Sequence, residues 1–174
     1  MAVILLINGA FGAGKTTLAE ALAARDPNLQ LFDPEDVGQI LRRTWGAIQP
    51  MEDFQEYPAW VPGVVQTART LRWLSGRDLV LPICVADASR YRRLVGGLLD
   101  VDRAFLSICL VASPELIRSR LRERGESAGG WADARVEACC RAHASGEFGV
   151  PLDASQPVPT LADRVLGIVH SVHR

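Results

Sequence analysis

The sequence predicts a three-layer α/β fold: a five-stranded parallel sheet with helices on both faces and a lid. Three observations lead to it. The chain opens on a continuous apolar run, residues 2–7, which passes through a glycine-rich loop into strong helix formers at 17–24. Beyond that start, further short apolar runs alternate with helical segments, the pattern of parallel strands joined by crossover helices. Later in the chain an arginine-rich helix leads into Gly125-Glu126-Ser127-Ala128-Gly129-Gly130, a flexible loop.

The first strand is apolar throughout, as a strand buried on both faces is. The loop after it, Gly9-Ala10-Phe11-Gly12-Ala13-Gly14-Lys15-Thr16-Thr17, completes G-x-x-x-x-G-K-[ST], the phosphate-binding P-loop. Gly9, Gly12 and Gly14 let the backbone turn where a Cβ would clash and approach phosphate oxygens closely. The start of the following helix adds partial positive charge. Residues 9–17 are therefore the expected ATP-binding segment, with Lys15 reaching the β- and γ-phosphates and the Thr16 hydroxyl ligating Mg²⁺. Lys15 is the only lysine among nineteen basic residues. A compact ammonium suits a phosphate cradle that a branched guanidinium fills badly. The expected architecture is the three-layer P-loop nucleoside triphosphate hydrolase/kinase fold.

The remaining elements follow in order. Residues 29–32 read as a short second strand, and Asp33-Pro34-Glu35-Asp36 opens a helix to about Trp45. Residues 51–75 read as helical, interrupted by Pro58 and Pro62. A third strand spans 78–85, a helix 89–99 and a fourth strand 104–111. Ser113-Pro114-Glu115 is a helix start with Ser as N-cap and Pro at the first position, and that helix reaches about Arg124. Residues 131–144 read as helical, 148–152 as a fifth strand and 160–172 as a closing helix. The ligand site of such a sheet lies at the carboxyl ends of its strands.

Length and composition fit one domain spanning 1–174, with a lid at about 118–131 and an acceptor-binding segment at about 42–66. A net charge of −1 gives no reason to expect nucleic acid or an anionic membrane as partner. No apolar run is long enough for a signal peptide or a membrane span, so a cytoplasmic protein without membrane insertion is expected. Cys84 and Cys109 sit in apolar runs and read as buried thiols; adjacent Cys139 and Cys140 cannot form an ordinary structural disulfide with each other. His143, His170 and His173 read as surface or helix-end residues, and no zinc-ligand spacing occurs.

Absent motifs narrow the P-loop classes. With a single lysine there is no N-K-x-D to read guanine, and no D-x-x-G occurs. The third strand ends Ile83-Cys84-Val85-Ala86, without the acidic terminus a motor ATPase uses to hold Mg²⁺. A small kinase-like enzyme fits best. It needs a carboxylate beside the attacking hydroxyl, arginines on the transferring group and a closing lid. Asp33 ends the second strand and is the candidate base, though the same residue also reads as a helix N-cap. On the lid helix, Ile117 and Leu121 mark the buried stripe, with Arg120 and Arg124 on one flank and Arg118 and Arg122 on the other. Arg120 and Arg124 are the candidates for the phosphates; simple solvation of all four is the alternative. Aromatics concentrate at Trp45, Phe54, Tyr57 and Trp60, either as core or as an acceptor pocket with Arg42, Arg43, Gln55 and Gln66 as polar contacts.

Several stretches carry a family likeness. The P-loop segment from Ile7 to Thr16, Phe32-Asp33-Pro34-Glu35, Asp53-Phe54-Gln55-Glu56-Tyr57-Pro58-Ala59-Trp60, Val111-Ala112-Ser113-Pro114 and Arg120-Leu121-Arg122-Glu123-Arg124 resemble the bacterial tunicamycin-resistance protein family. The resemblance implies an ATP-binding protein of nucleoside-kinase-like fold that protects against tunicamycin, a uridine joined to amino sugars and a fatty acyl chain. Phe54, Tyr57 and Trp60 would then line a cleft for the uracil or the acyl chain, with Arg42 nearby. The broader fold also resembles chloramphenicol phosphotransferase, whose base matches Asp33. The chain stops at Arg174 with no basic amphipathic tail, so a membrane-attached form is not expected. Three functions stay open: a kinase of tunicamycin or a related nucleoside-like compound, an ATP-dependent sequestering protein, and a kinase of an ordinary nucleoside or sugar metabolite.

Overall fold

The computed structural model describes residues 3–172; Ala2 and His173, which the sequence places in a strand and at a helix end, lie outside them. Five parallel strands stand in the order β2-β3-β1-β4-β5: β1 (Ile4–Gly9), β2 (Leu29–Leu31), β3 (Asp78–Ile83), β4 (Phe105–Val111) and β5 (Val150–Asp153). Seven α-helices connect or flank them: α1 (Lys15–Arg25), α2 (Pro34–Trp45), α3 (Trp60–Ser75), α4 (Ala88–Leu99), α5 (Pro114–Glu123), α6 (Val136–His143) and α7 (Val158–Val172). The predicted fold class is the observed one.

β1 lies at the centre of the sheet and is buried along its whole length. Its alternation divides the core between the two faces. Leu5 and Ile7 pack with Leu18 and Leu22 of α1 and Val165 of α7. Ile4 and Leu6 pack with Trp60 and Val64 of α3 and Leu94 of α4.

Pro82 inside a central strand has a simple explanation. Val80 accepts the Phe32 N–H on the β2 side (3.0 Å), and Leu79 donates to Val3 on the β1 side (3.0 Å). Alternation therefore turns the nitrogen of Pro82 toward β2, which has already ended at Leu31, so no ladder bond is lost.

Helix starts follow their sequence signals. Asp33 caps α2 by accepting the Glu35 N–H (2.9 Å), Asp87 caps α4 from Arg90 (2.6 Å), and Ser113 caps α5 from Leu116 (3.3 Å). Where boundaries differ from expectation, local chemistry decides. Residues 51–59 hold only a 3₁₀ turn, Phe54–Glu56, because Asp53 caps it and Pro58 bars helix before it. Pro62 is tolerated in the first turn of α3, where its N–H is not needed. Residues 133–135 are likewise a 3₁₀ turn ahead of α6. Phe148 is buried but precedes β5, since Gly149 turns the chain at φ 108°.

The cysteines are all free and buried, as expected for Cys84 and Cys109. His143 corrects the sequence reading: it ends α6, but its ring is buried, with Nε2 3.0 Å from the Val85 carbonyl and an edge-on contact to Phe148. His170 is exposed beside Asp26 at 3.4 Å. No helix among the described residues is long and apolar enough to cross a membrane.

At the carboxyl end of β1, the fully buried Asn8 binds three backbone groups: its Oδ1 accepts from Gly9 and Val85 (2.9 Å each) and its Nδ2 donates to the Val85 carbonyl (2.9 Å). Replacing it, Asn8→Ala, strands those groups in the interior and is expected to lower unfolding free energy by about 3 kcal/mol, read by urea denaturation.

Candidate active site

The P-loop is built between the end of β1 and the start of α1. Gly9 has no room for a side chain: a Cβ there would lie 2.9 Å from the Leu110 carbonyl of the neighbouring strand. Gly14 stands at φ 95°, the left-handed conformation that turns the loop into α1. The helices α2, α4 and α5 carry side-chain caps, whereas α1, α3 and α6 carry none. At α1 the first N–H groups, of Lys15, Thr16 and Thr17, are therefore left without a side-chain cap beside the glycine loop, which fits the phosphates of a nucleotide. Lys15 Nζ rests on the Ala10 carbonyl of the same loop at 2.8 Å.

Three adjoining cavities open around this loop. The first, about 190 Å³, is walled by Lys15, Thr16, Asp33, Glu35 and Arg124, with Phe11 at its edge. The second, about 250 Å³, lies beside Gly14 and Thr17, with Arg120, Arg124 and Gln156 opposite. The third, about 280 Å³, runs from Phe11 and Trp131 to Phe54, Arg42, Gln39 and Glu52. Glu35 and Phe11 border both the first and the third, so the two cavities adjoin at these residues.

Burial is the main influence on the carboxylates here. It raises the pKa of Asp33 against the opposing Glu35 N–H bond, with Asp36 adding to the rise and Lys15 lowering it. Burial likewise raises Glu35, and the neighbouring Asp33 adds to the effect. Asp33 uses Oδ1 for its cap, and no hydrogen bond to its Oδ2 is present among the described residues. Capping and facing the cavity are therefore compatible in one side chain.

The arginines at the end of α5 divide as the helical flanks require. Arg118 turns away and ties α5 to Asp133 (3.3 Å) and Glu137 (2.9 Å). Arg120 is held on backbone carbonyls: Nη1 donates to Ala13 (3.1 Å) and Nη2 to Ala154 (2.8 Å), so it joins the P-loop to the end of β5. This differs from the expectation that it is free for the transferring group. Arg124 borders both phosphate-side cavities, and no hydrogen bond of its guanidinium is present among the described residues.

The aromatic segment also divides. Arg42 and Phe54 line the third cavity. Tyr57 and Trp60 do not: both are buried in the core, Tyr57 donating to the Gln49 carbonyl (3.1 Å) and Trp60 Nε1 to the Pro34 carbonyl (3.2 Å). Pairing α3 with the start of α2 draws them inward. Arg43 and Gln66 bond within their own helices, and Gln55 is buried against the Cys84 carbonyl (2.7 Å) while its residue borders the cavity. Glu35 and Trp131 were not anticipated. Glu35 reads as a capping carboxylate in a first turn, and Trp131 as the start of a helix; a tryptophan directly after a glycine-rich loop was the available signal.

A family model described as an AAA domain matches residues 5–138. The chain belongs to that family. Among solved structures, the tunicamycin resistance protein of Deinococcus radiodurans aligns with 29% identity and a TM-score of 0.82, covering 97% of this chain and 96% of that one. A gluconokinase of Sinorhizobium meliloti aligns at 15% identity, TM-score 0.67, covering 97% and 92%. Shikimate kinase of Acinetobacter baumannii, in complex with shikimate, aligns at 16% identity, TM-score 0.65, covering 98% and 94%. No curated protein matches the chain. The fold is that of a P-loop kinase-like, nucleotide-binding protein, and the likeness to a tunicamycin-resistance protein read from the sequence extends to nearly the whole structure.

Lys15→Ala is expected to abolish nucleotide binding, measured by calorimetry with ATP and Mg²⁺. Unchanged affinity would remove the P-loop from the site.

Proposed function

We propose that the protein is an ATP-dependent small-molecule kinase that transfers the γ-phosphoryl group to a hydroxyl of tunicamycin or a related nucleoside-like compound. The observation that carries this reading is the shared cavity of Lys15, Thr16, Asp33 and Arg124, which adjoins a separate aromatic-walled cavity at Phe11 and Glu35. A nucleotide site and an acceptor site thus meet at a carboxylate. The likeness to the Deinococcus radiodurans protein supports tunicamycin as the first compound to try.

ATP with Mg²⁺ would supply the phosphoryl group and the counter-charge for its oxygens. The chain's own residues do the rest. Loop amides and Lys15 hold the phosphates, and the Thr16 hydroxyl offers an oxygen ligand to the cation. Asp33 accepts the proton of the acceptor hydroxyl as the new O–P bond forms and the bond to the leaving diphosphate breaks. Arg124, unpaired by any hydrogen bond in the described structure, is the side chain available to the charge in flight, while Arg120 keeps the loop in shape.

Asp33→Asn separates the two roles of that residue, because an asparagine Oδ1 still caps α2. ATP affinity should persist while transfer falls by about 10²-fold or more. If transfer stays within a few-fold of wild type, Asp33 is a cap alone. In the wild-type enzyme, transfer needs ionised Asp33, so it should rise with pH through a pKa lying above that of an exposed aspartate, because burial raises it. A pH–rate profile of kcat with its acid limb at the ordinary aspartate value would contradict this.

Mass spectrometry of tunicamycin incubated with the protein, ATP and Mg²⁺ tests the reading directly. A product heavier by one phosphoryl group, absent with Lys15→Ala, is expected. Unmodified drug retained by the ATP-loaded protein would indicate sequestration instead.

A further inference from the structure

Charge is distributed unevenly between the phosphate-side cavities and the aromatic-walled one that adjoins them. On the phosphate side Lys15, Arg120 and Arg124 are matched in number by Asp33, Glu123 and Glu126, and Glu35 borders both sides. The acceptor side carries three carboxylates, Glu35, Glu52 and Asp53. One guanidinium, that of Arg42, lines it, and Arg135 stands behind it. Arg42 donates to the Glu52 carbonyl (3.1 Å) and lies over the Phe54 ring at 5.8 Å. Arg135 pairs with the Glu52 carboxylate (3.3 Å) and stacks on Trp131 at 4.2 Å. Trp131 in turn meets the P-loop through an edge contact with Phe11 at 5.0 Å.

Resting on the kinase reading above, we infer that this cavity selects acceptors that carry no negative charge, presenting aromatic walls to an uncharged ring and carboxylates to its hydroxyls. An anionic acceptor would enter a field of net negative sign and would also face the phosphates across Phe11. Carboxylates and Gln39 accept from or donate to sugar and nucleoside hydroxyls, and Phe54 and Trp131 cover ring faces. The volume, about 280 Å³, is at the small end for a ligand site and suits one ring-bearing unit and not a whole conjugate. Similarity of fold to gluconokinase and shikimate kinase therefore does not extend to acceptor charge: gluconate and shikimate are carboxylates, and the one guanidinium lining this wall, Arg42, is outnumbered by Glu35, Glu52 and Asp53.

Calorimetry on protein loaded with Mg²⁺ and a non-hydrolysable ATP analogue reads the selection without requiring turnover. Uridine and tunicamycin are the uncharged probes, gluconate and shikimate the carboxylates. The uncharged probes are expected to bind at least about tenfold more tightly, and Glu52→Lys, at a rim position whose side chain is 85% exposed, should narrow that gap by about tenfold. Carboxylates binding as tightly as the uncharged probes, no binding by either class, or a gap unmoved by Glu52→Lys would each overturn the inference. Failure of the kinase reading has a different signature: uncharged probes bind with the expected preference, yet no phosphorylated product forms. Conversely, phosphorylation of gluconate or shikimate would sustain the kinase and sink the selection.

Discussion

The structure depends on the way Asn8 closes the end of the central strand. A P-loop has few internal hydrogen bonds of its own, so its shape has to be imposed from outside. Asn8 does this from a fully buried position, taking the Gly9 N–H and bridging to both backbone groups of Val85. Each is a buried polar group that no water reaches, and leaving such groups unpaired is costly. Arg120 closes the loop from the other side by donating to Ala13 and Ala154. Between these two ties Gly9, Gly12 and Gly14 stand at positive φ, and the start of α1 carries no side-chain cap.

That arrangement places the chemistry at the rim of the sheet and assigns its parts by charge. The loop and the arginines of α5 bring Lys15, Arg120 and Arg124 to the cavities beside the loop, where Asp33, Glu123 and Glu126 also stand. The turn from β2 into α2 also supplies Glu35, and the segment leading to α3 supplies Glu52 and Asp53, and these three outnumber Arg42 in the third cavity. Phe11 stands between them, at the tip of the loop, touching Trp131 at one edge and lying 5.8 Å from the Lys15 ammonium. One apolar ring thus stands between two polar cavities, which adjoin at Phe11 and Glu35.

Much of this was legible in the residues. The P-loop, the five parallel strands and the caps at Asp33 and Ser113 follow from local signals, namely glycine placement, apolar runs and Asp or Ser ahead of Pro. The helical phase that put Arg118 and Arg120 on opposite flanks also held, since it needs only one helix and one buried stripe. What local pattern could not decide was which aromatics face inward. Tyr57 and Trp60 differ from Phe54 only in how α3 docks on α2, a long-range fact; the sequence shows the cluster and not the docking. The bonds of Arg120 escape local pattern for a related reason. A guanidinium near a P-loop suggests phosphate, but the Ala154 carbonyl comes within its reach only when β5 is in place. His143 was read as polar and peripheral because a lone histidine near a helix end gives no sign of burial.

That histidine completes the physical picture. A carbonyl only accepts, so Nε2 carries the ring proton it shares with Val85, and Nδ1 is a bare lone pair buried without a hydrogen-bond partner. Burial lowers the pKa of His143, against the Val85 bond, and keeps the ring neutral. The Val85 carbonyl therefore receives two donors, one from Asn8 and one from α6, the helix that follows the lid segment. Lid end, third strand and phosphate loop converge on that single oxygen. A displacement of α6 that broke the His143 bond would strip one donor from the group that Asn8 also holds, so the position of the helix after the lid and the shape of the P-loop are constrained together through hydrogen bonds within the core.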